Sequence, residues 1–510
     1  MPATDPAVDD TLIDPEFRAL PLAGLAGAAL SRARLLGAEY ADLRVERIVS
    51  QTIRLRDGSV TGVEDSTVTG VAVRVLVDGV WGFASHVELT AQSAVAVAER
   101  AVAVARTLLP VALERVERAD EPVYPGSVWV SAYDVDPFTV PTRDKVELLT
   151  DRSRRLLASD GVDHVAASVL QVRECKFYAD SAGTTTLQQR VRLEPGITAT
   201  AVDRAAGGFE TMSSLAPPVG RGWEYLTGDT WDWDAELAEM PELLAGKTKA
   251  PSVEAGAYDL VIDPTNLWLT IHESVGHATE YDRAIGYEAA YAGSSFATPD
   301  KLGTLRYGSE HMHVTGDRTV PHGLSTIAFD DDGVRTGEWD LVRDGVFVGY
   351  QLDRTFAPRL GLDRSNGCAF ADSPHHVPIQ RMANVSLAPD PAKDTSTDEL
   401  IAGVERGIYV VGDKSWSIDM QRYNFQFTGQ RFFRIEDGKL AGQLRDVAYQ
   451  ATTTDFWGAM DAVGGPSTWR LGGAMNCGKA QPGQAAPVSH GCPSARFRGI
   501  SVLNTQEEGK

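Results

Sequence analysis

Cysteine is scarce in this chain. The 510 residues hold four (Cys175, Cys368, Cys477, Cys492), too few and too scattered for a disulfide framework. In a reducing compartment each is a small buried hydrophobe, a ligand or a nucleophile. Long apolar runs are missing too: no stretch of about 18 apolar residues reads as a membrane span. Basic charge is in deficit. Lys and Arg number 48 against 70 Asp and Glu, giving a formal net charge of −22 and a pI near 4.9. That balance argues against a surface tracking nucleic-acid phosphates and reads as solubility. The opening "MPATDPAVDD" is acidic where a secretory leader would be basic, so the cytoplasm is the expected compartment. What remains is ordinary globular composition, 43% hydrophobic and 23% charged, at a length that suits two or three domains.

Hydrophobic periodicity predicts an α+β fold. A helix is expected over 22–37, followed by strand-like "DLRVERIV", "QTIRLRDG" and "VTGVAVRVLVDGVWGFAS" with a turn at Asp78-Gly79. "VELTAQSAVAVAERAVAVARTL" places Val, Ala and Leu at helical spacing. After a Pro-rich stretch, "TRDKVELLTDRSRRLLAS" predicts a third helix, and three further strand-like segments run to about Arg204. Helix plus antiparallel meander thus occurs twice, with Asp57-Gly58 and Ser181-Ala182-Gly183 at comparable hairpin positions; duplication and convergence account for it equally. Composition shifts between Ser213 and Gly256, where "TKAPSVEAG" reads as a linker. Three units are expected: an N-terminal α+β subdomain over 1–120, a second with the linker over 121–250, and a large, mainly antiparallel β domain over 251–510.

The last unit contains one clear helix, and it carries "HESVGH", His-Glu-x-x-x-His. Zinc peptidases usually hold two imidazoles four residues apart, about 40° apart around the helix axis. His272 and His277 are five apart, about 140°, which a regular helix cannot bring to one ion. Two distortions would join them: a π-turn, or loosening at Gly276. A break from regular helix is therefore expected at Ser274–His277. Glu273 stands where a general base belongs. Glu280, three residues past His277, can serve as a ligand or as an acceptor behind the imidazole. Catalytic zinc takes three protein ligands and an open position. Glu280 is one candidate for the third; Cys477 in "GGAMNCGKAQPGQ", Cys492 in "SHGCPS" and Cys368 in "SNGCAF" are the others, and spacing does not rank them. The bland alternative is two structural histidines on a buried helix.

"HESVGHATEYDR", "DDDGV", "QRMANVSLAP" and "NCGKAQPGQ", in this order, resemble the TldD/PmbA family, once called modulators of DNA gyrase. "GAEYADLRVER", "LRDG" and "GVAVRVLVDGVWGFAS" resemble that family's first domain. The resemblance implies a zinc metallopeptidase in which His272, His277 and Cys477 bind Zn²⁺ and Glu273 is the base. The family also includes partner subunits without the histidine motif. This chain keeps the motif, so a motif-less TldE/PmbA-like partner or a second copy is the implied companion, and unstructured peptide the implied substrate. Two departures are visible: "AQPGQ" carries an extra residue after Cys-Gly-Lys, and "GDKSWSIDMQRYNFQF" replaces a more glycine-rich stretch.

Weaker signals complete the reading. Arg381 in "PIQRMAN" is a candidate for orienting substrate, against a structural ion pair. His375-His376 and His322 read as loop residues, with an oxyanion role open for His322. Asp330-Asp331-Asp332-Gly333 lacks the spacing of a calcium loop and reads as a hairpin turn. The rival functions are a zinc amidase acting on small molecules and a non-catalytic partner subunit.

Overall fold

The computed structural model describes residues 10–204 and 207–506. Its N-terminal half is built on one seven-stranded sheet. Strands Val80–His86, Ser59–Val77, Tyr40–Arg56, His164–Asp180 and Thr185–Asp203 pair antiparallel in that order, and Ser127–Val130 and Gly208–Ser213 both add to Thr185–Asp203. The two predicted meanders therefore share one sheet, joined by the long antiparallel pairing of Tyr40–Arg56 with His164–Asp180. Each round keeps its own helical cover and core. Helices Leu22–Leu35 and Ala91–Leu108 pack over the first, and helices Thr142–Leu157 and Trp233–Lys249 over the second. The first packing is close because Ala94, Ala98, Ala101 and Ala105 line one face of their helix. Opposite them a Cβ on Gly82 would stand 2.0 Å from the Ala101 carbonyl oxygen, so only glycine fits.

The C-terminal half centres on a ring of strands. Arg406–Ile418, Gly256–Ile262, Ala495–Asn504, Val447–Thr452 and Asn424–Glu436 pair in sequence, and the last closes on the first. All pairings are antiparallel except Gly256–Ile262 with Arg406–Ile418. A four-stranded sheet including Val314–Asp317 and Asn384–Leu387, and the hairpin Arg470–Lys479/Gln484–Cys492, flank it. Helix Pro264–Ile271 lies between ring and hairpin with every residue but Thr265 buried.

The two halves meet across buried charge. The turn Asp330–Gly333 inserts against the first sheet, where Lys176 Nζ reaches Asp331 at 2.8 Å and Arg74 bridges Asp332 and Asp42. The turn reading of "DDDG" thus holds only for the backbone: Asp330, Asp331 and Asp332 are 2%, 4% and 2% exposed and act as an electrostatic plug. Gly333, at φ +74°, faces the Tyr178 ring, which a Cβ would meet at 2.6 Å. Among the described residues, no helix is long and apolar enough to cross a membrane.

Candidate metal centre and its surroundings

Asp263 caps the site helix by accepting the Thr265 N–H at 3.0 Å, and Pro264 follows at the first helical position. The helix then widens. His272–Gly276 form a π-turn, closed by His277 N–H donating to the His272 carbonyl at 3.0 Å. This is the first of the two expected distortions. Three of its carbonyls take side-chain donors: Tyr307 on Ser274, Gln351 Nε2 on Gly276 at 2.7 Å, and Thr279 Oγ1 on Val275 at 2.9 Å. The turn brings the His272 and His277 rings to 4.7 Å between centroids.

Cys477 reaches the pair from the far end of the chain. It sits just past a bulge in Arg470–Lys479 and places Sγ 3.6 Å from His277 Nε2. One donor atom from each of His272, His277 and Cys477 lies within 4.8 Å of the others, and all three residues are buried. Among the described residues no other histidine, cysteine or carboxylate group gathers this way. Cys368 and Cys492 lie elsewhere, the latter against the Pro264 carbonyl. Burial pushes the Cys477 thiol up, but neighbouring His277 and Arg381 outweigh it and hold the thiol below its ordinary value. A thiolate is what a metal requires of a cysteine.

Hydrogen bonds fix which imidazole nitrogens face the cluster. His490 Nδ1–H donates to the Val385 carbonyl at 2.9 Å, so its Nε2 accepts from His272 Nδ1–H at 2.7 Å. His277 Nδ1–H donates to Glu280 at 2.8 Å. With each Nδ1 engaged behind the ring, Nε2 is the nitrogen each histidine has left for the cluster, the one a metal would take. Glu280 thus stands as an acceptor behind His277, the second of the two places open to it. Arg283 and Lys479 occupy the rest of its carboxylate, at 3.1 Å each. Burial raises its carboxyl, but Lys479, His277 and Arg283 pull it well below the usual range. Trp268 stacks flat on His490, with 10° between planes.

Glu273 points beside the cluster and accepts from Arg422 Nη1 at 2.8 Å. Burial would raise its carboxyl, yet His277, His272 and Arg422 leave it below the usual range. Arg422 reaches in from a hairpin tip at φ +62° and also donates to the Ala292 carbonyl at 3.1 Å. Arg381 is a correction: it is 1% exposed and donates to the carbonyls of Cys477 and Gln484, with no face toward a substrate. It braces the hairpin that presents the thiol. His322 bonds the Gly220 carbonyl and His376 bonds Asp372, both away from the cluster.

Sequence reasoning passed over His490, Arg422 and Lys479. Lys479 had a visible signal, standing two residues past Cys477. His490 stands two residues before Cys492 in "SHGCPS", with no spacing that ties it to His272.

The chain matches the family profile described as PmbA/TldA metallopeptidase C-terminal domain over residues 255–504, and that for PmbA/TldA metallopeptidase domain 1 over residues 41–105. A metalloprotease of Methanothermobacter thermautotrophicus is 30% identical over 471 residues, 92% of this chain and 96% of that protein. A zinc metalloprotease TldD homolog of Saccharolobus solfataricus is 25% identical over 276 residues, 54% of this chain and 58% of that protein. Two solved structures share the fold. A Thermotoga maritima protein named as a modulator of a DNA gyrase has TM-score 0.72 at 16% identity, covering 94% of this chain and 99% of its own. TldE from Thermococcus kodakarensis has TM-score 0.68 at 15% identity, covering 94% and 100%. With its histidine motif intact and near-full-length likeness to a named metalloprotease, the chain belongs to the PmbA/TldD family of metallopeptidases.

Proposed function

We propose that this chain is a zinc-dependent peptidase acting on unstructured peptides. The observation that carries the reading is the meeting of His272 Nε2, His277 Nε2 and the Cys477 thiol, with both Nδ1 hydrogens committed elsewhere. Two neutral imidazoles and a thiolate are a donor set suited to Zn²⁺ with a position left open. Bound there, zinc would supply Lewis acidity toward a carbonyl oxygen and lower the pKa of water. Glu273 stands ionised at neutral pH, takes a proton from the attacking water and returns it to the leaving amine. Arg422 holds that carboxylate in place.

Substrate preference follows from the strand that bears the thiol. Among the described residues, Arg470–Lys479 pairs with no strand but Gln484–Cys492, which leaves its other edge without a strand partner, though the Cys477 carbonyl itself is taken by Arg381. An extended peptide can add there as a further strand, with little demand on side chains. Folded proteins cannot. A motif-less relative of TldE type is the proposed partner, supported by the shared fold.

Metal analysis and cleavage assays on unstructured peptides and small amides test the proposal. Wild type should hold one zinc and cut the peptides. Glu273→Gln should keep the zinc and lose turnover by about 10²–10⁴-fold, and Cys477→Ala should lose the zinc. Undiminished cleavage by Glu273→Gln, or no stoichiometric zinc in wild type, would defeat it.

A further inference from the structure

Behind the thiol hairpin, where the two halves join, three arginines surround one small cavity. Arg190 comes from strand Thr185–Asp203, Arg318 follows Val314–Asp317, and Arg381 follows Ile379–Gln380. The cavity is small, with room for about one water or one monatomic ion, and Phe370, Met382 and Ala486 form much of the remaining wall. The three arginines are 3%, 2% and 1% exposed.

Their charges are unevenly matched. Arg190 pairs with Glu174 at 2.8 Å, a carboxylate it shares with Arg192 and Lys176. Arg318 donates only to carbonyls, those of Ser325 and Gly367. Arg381 likewise donates to the carbonyls of Gln484 and Cys477, and its Nε is buried without a partner. Neither forms an ion pair with a carboxylate among the described residues. Carbonyls contribute dipoles, not charge, and a guanidinium cannot shed its proton. The acidic groups that act on them do so only through space, Asp330 and Asp331 on Arg318 and the Cys477 thiol on Arg381, and a buried charge with no directly bonded counter-charge is costly. The one hydroxyl in the wall, Ser325, donates to Asn384 Oδ1 at 2.9 Å, so the donors available to an occupant are the guanidiniums.

We infer that this pocket binds a single small inorganic anion of the halide class, held between Arg318 and Arg381. Its size excludes phosphate, sulfate and carboxylate metabolites. Its apolar wall favours a weakly hydrated ion. Ala486 is the register partner of Cys477, and Arg381 donates to the Cys477 carbonyl, so the ion stiffens the hairpin that presents the thiol. The inference does not depend on the peptidase reading, and its readouts need no activity.

Crystals of the full chain grown in sodium bromide test it first: an anomalous peak should lie in contact with the Arg318 and Arg381 nitrogens. Thermal unfolding in sodium chloride should occur about 2–5 °C above that in sodium gluconate at equal ionic strength. Arg318→Met, which removes one charge and keeps an apolar wall, should abolish that difference. If bromide crystals show only water in the pocket, or if chloride and gluconate give the same melting temperature in wild type, the inference is overturned. Both wild-type measurements decide it even if the variant fails to fold.

Discussion

His272 and His277 present Nε2 to the cluster because each commits its Nδ1 hydrogen elsewhere, but the two acceptors differ. Behind His277 stands an ionised Glu280, and behind His272 a neutral His490 that itself leans on a backbone carbonyl. Burial and the adjacent His272 hold His490 well below the ordinary histidine range, so it stays neutral and able to accept. Replacing it by Phe keeps a ring against Trp268 and removes the acceptor, freeing His272 to rotate or change tautomer. Zinc affinity should fall by about 10–100-fold, read by competition with a chelator; unchanged affinity would show that the relay orients nothing. Arg422 makes a complementary case. It touches no candidate ligand, only the carboxylate of Glu273 and the Ala292 carbonyl. Arg422→Gln should leave zinc content intact while peptide turnover drops on the order of 10²-fold, the cost of a misplaced base. Loss of metal in that variant would mean that it supports the fold of the site instead.

The π-turn is the element on which the site depends. Gly276 lies inside it, and a Cβ there would stand 2.6 Å from Met382 Sδ and 2.9 Å from its Cε. Gly276→Ala should therefore cost about 1–3 kcal/mol by overpacking and weaken zinc binding, and shortening the neighbour with Met382→Ala should restore part of both; denaturation and metal titration on the single and double variants decide it. Five-residue spacing made this element legible: two histidines about 140° apart can share an ion only if the helix yields. Turns were legible for a similarly local reason. Asp57-Gly58 and Asp78-Gly79 adopt positive φ at both residues, as the Asp-Gly pair favours in tight hairpins, and so do Asp344-Gly345 and Asp437-Gly438, which periodicity alone places inside strand-like runs. The candidate site was legible only as far as local spacing reached. His490 meets His272 across 218 residues of sequence and Arg422 meets Glu273 across 149, separations set by strand register in the folded ring and hairpin. That Arg381 turns to the carbonyls of Cys477 and Gln484 was not legible, because a lone arginine beside a strand does not reveal which way that strand faces. Nor could "DDDG" disclose its burial, since Lys176 lies 155 residues from Asp331 and Arg74 lies 258 from Asp332.

At the scale of the whole molecule, the seam between the halves buries carboxylates that differ in whether a cation reaches them, and its pH response follows from that difference. Asp331 and Asp332 are held below the usual range despite burial, by Lys176 and Arg74 respectively. Asp353 lies near Asp332, and among the described residues no cation forms an ion pair with it. Burial, reinforced by Asp332 and Asp282, raises its carboxyl to about 7, while its Oδ1 accepts the N–H groups of Thr355 and Phe356 at 2.8 and 3.0 Å. The folded chain thus keeps a proton on Asp353 up to about pH 7, whereas the unfolded chain releases it near 3.9. Between those values the native state binds more protons. Stability contributed by this group is complete below about pH 4 and is lost as pH rises through about 7, at about 1.4 kcal/mol per pH unit. Asn at this position keeps the Oδ1 acceptor and needs no proton. Asp353→Asn should therefore gain stability relative to wild type as pH rises from about 4 to 7, and the difference should level off above 7. Urea denaturation of both proteins across pH 4.5–8, at fixed metal content, measures that difference directly. A stability gap that stays constant over the window would mean that Asp353 is ionised in the fold, and that a cation or water supplies what burial withholds.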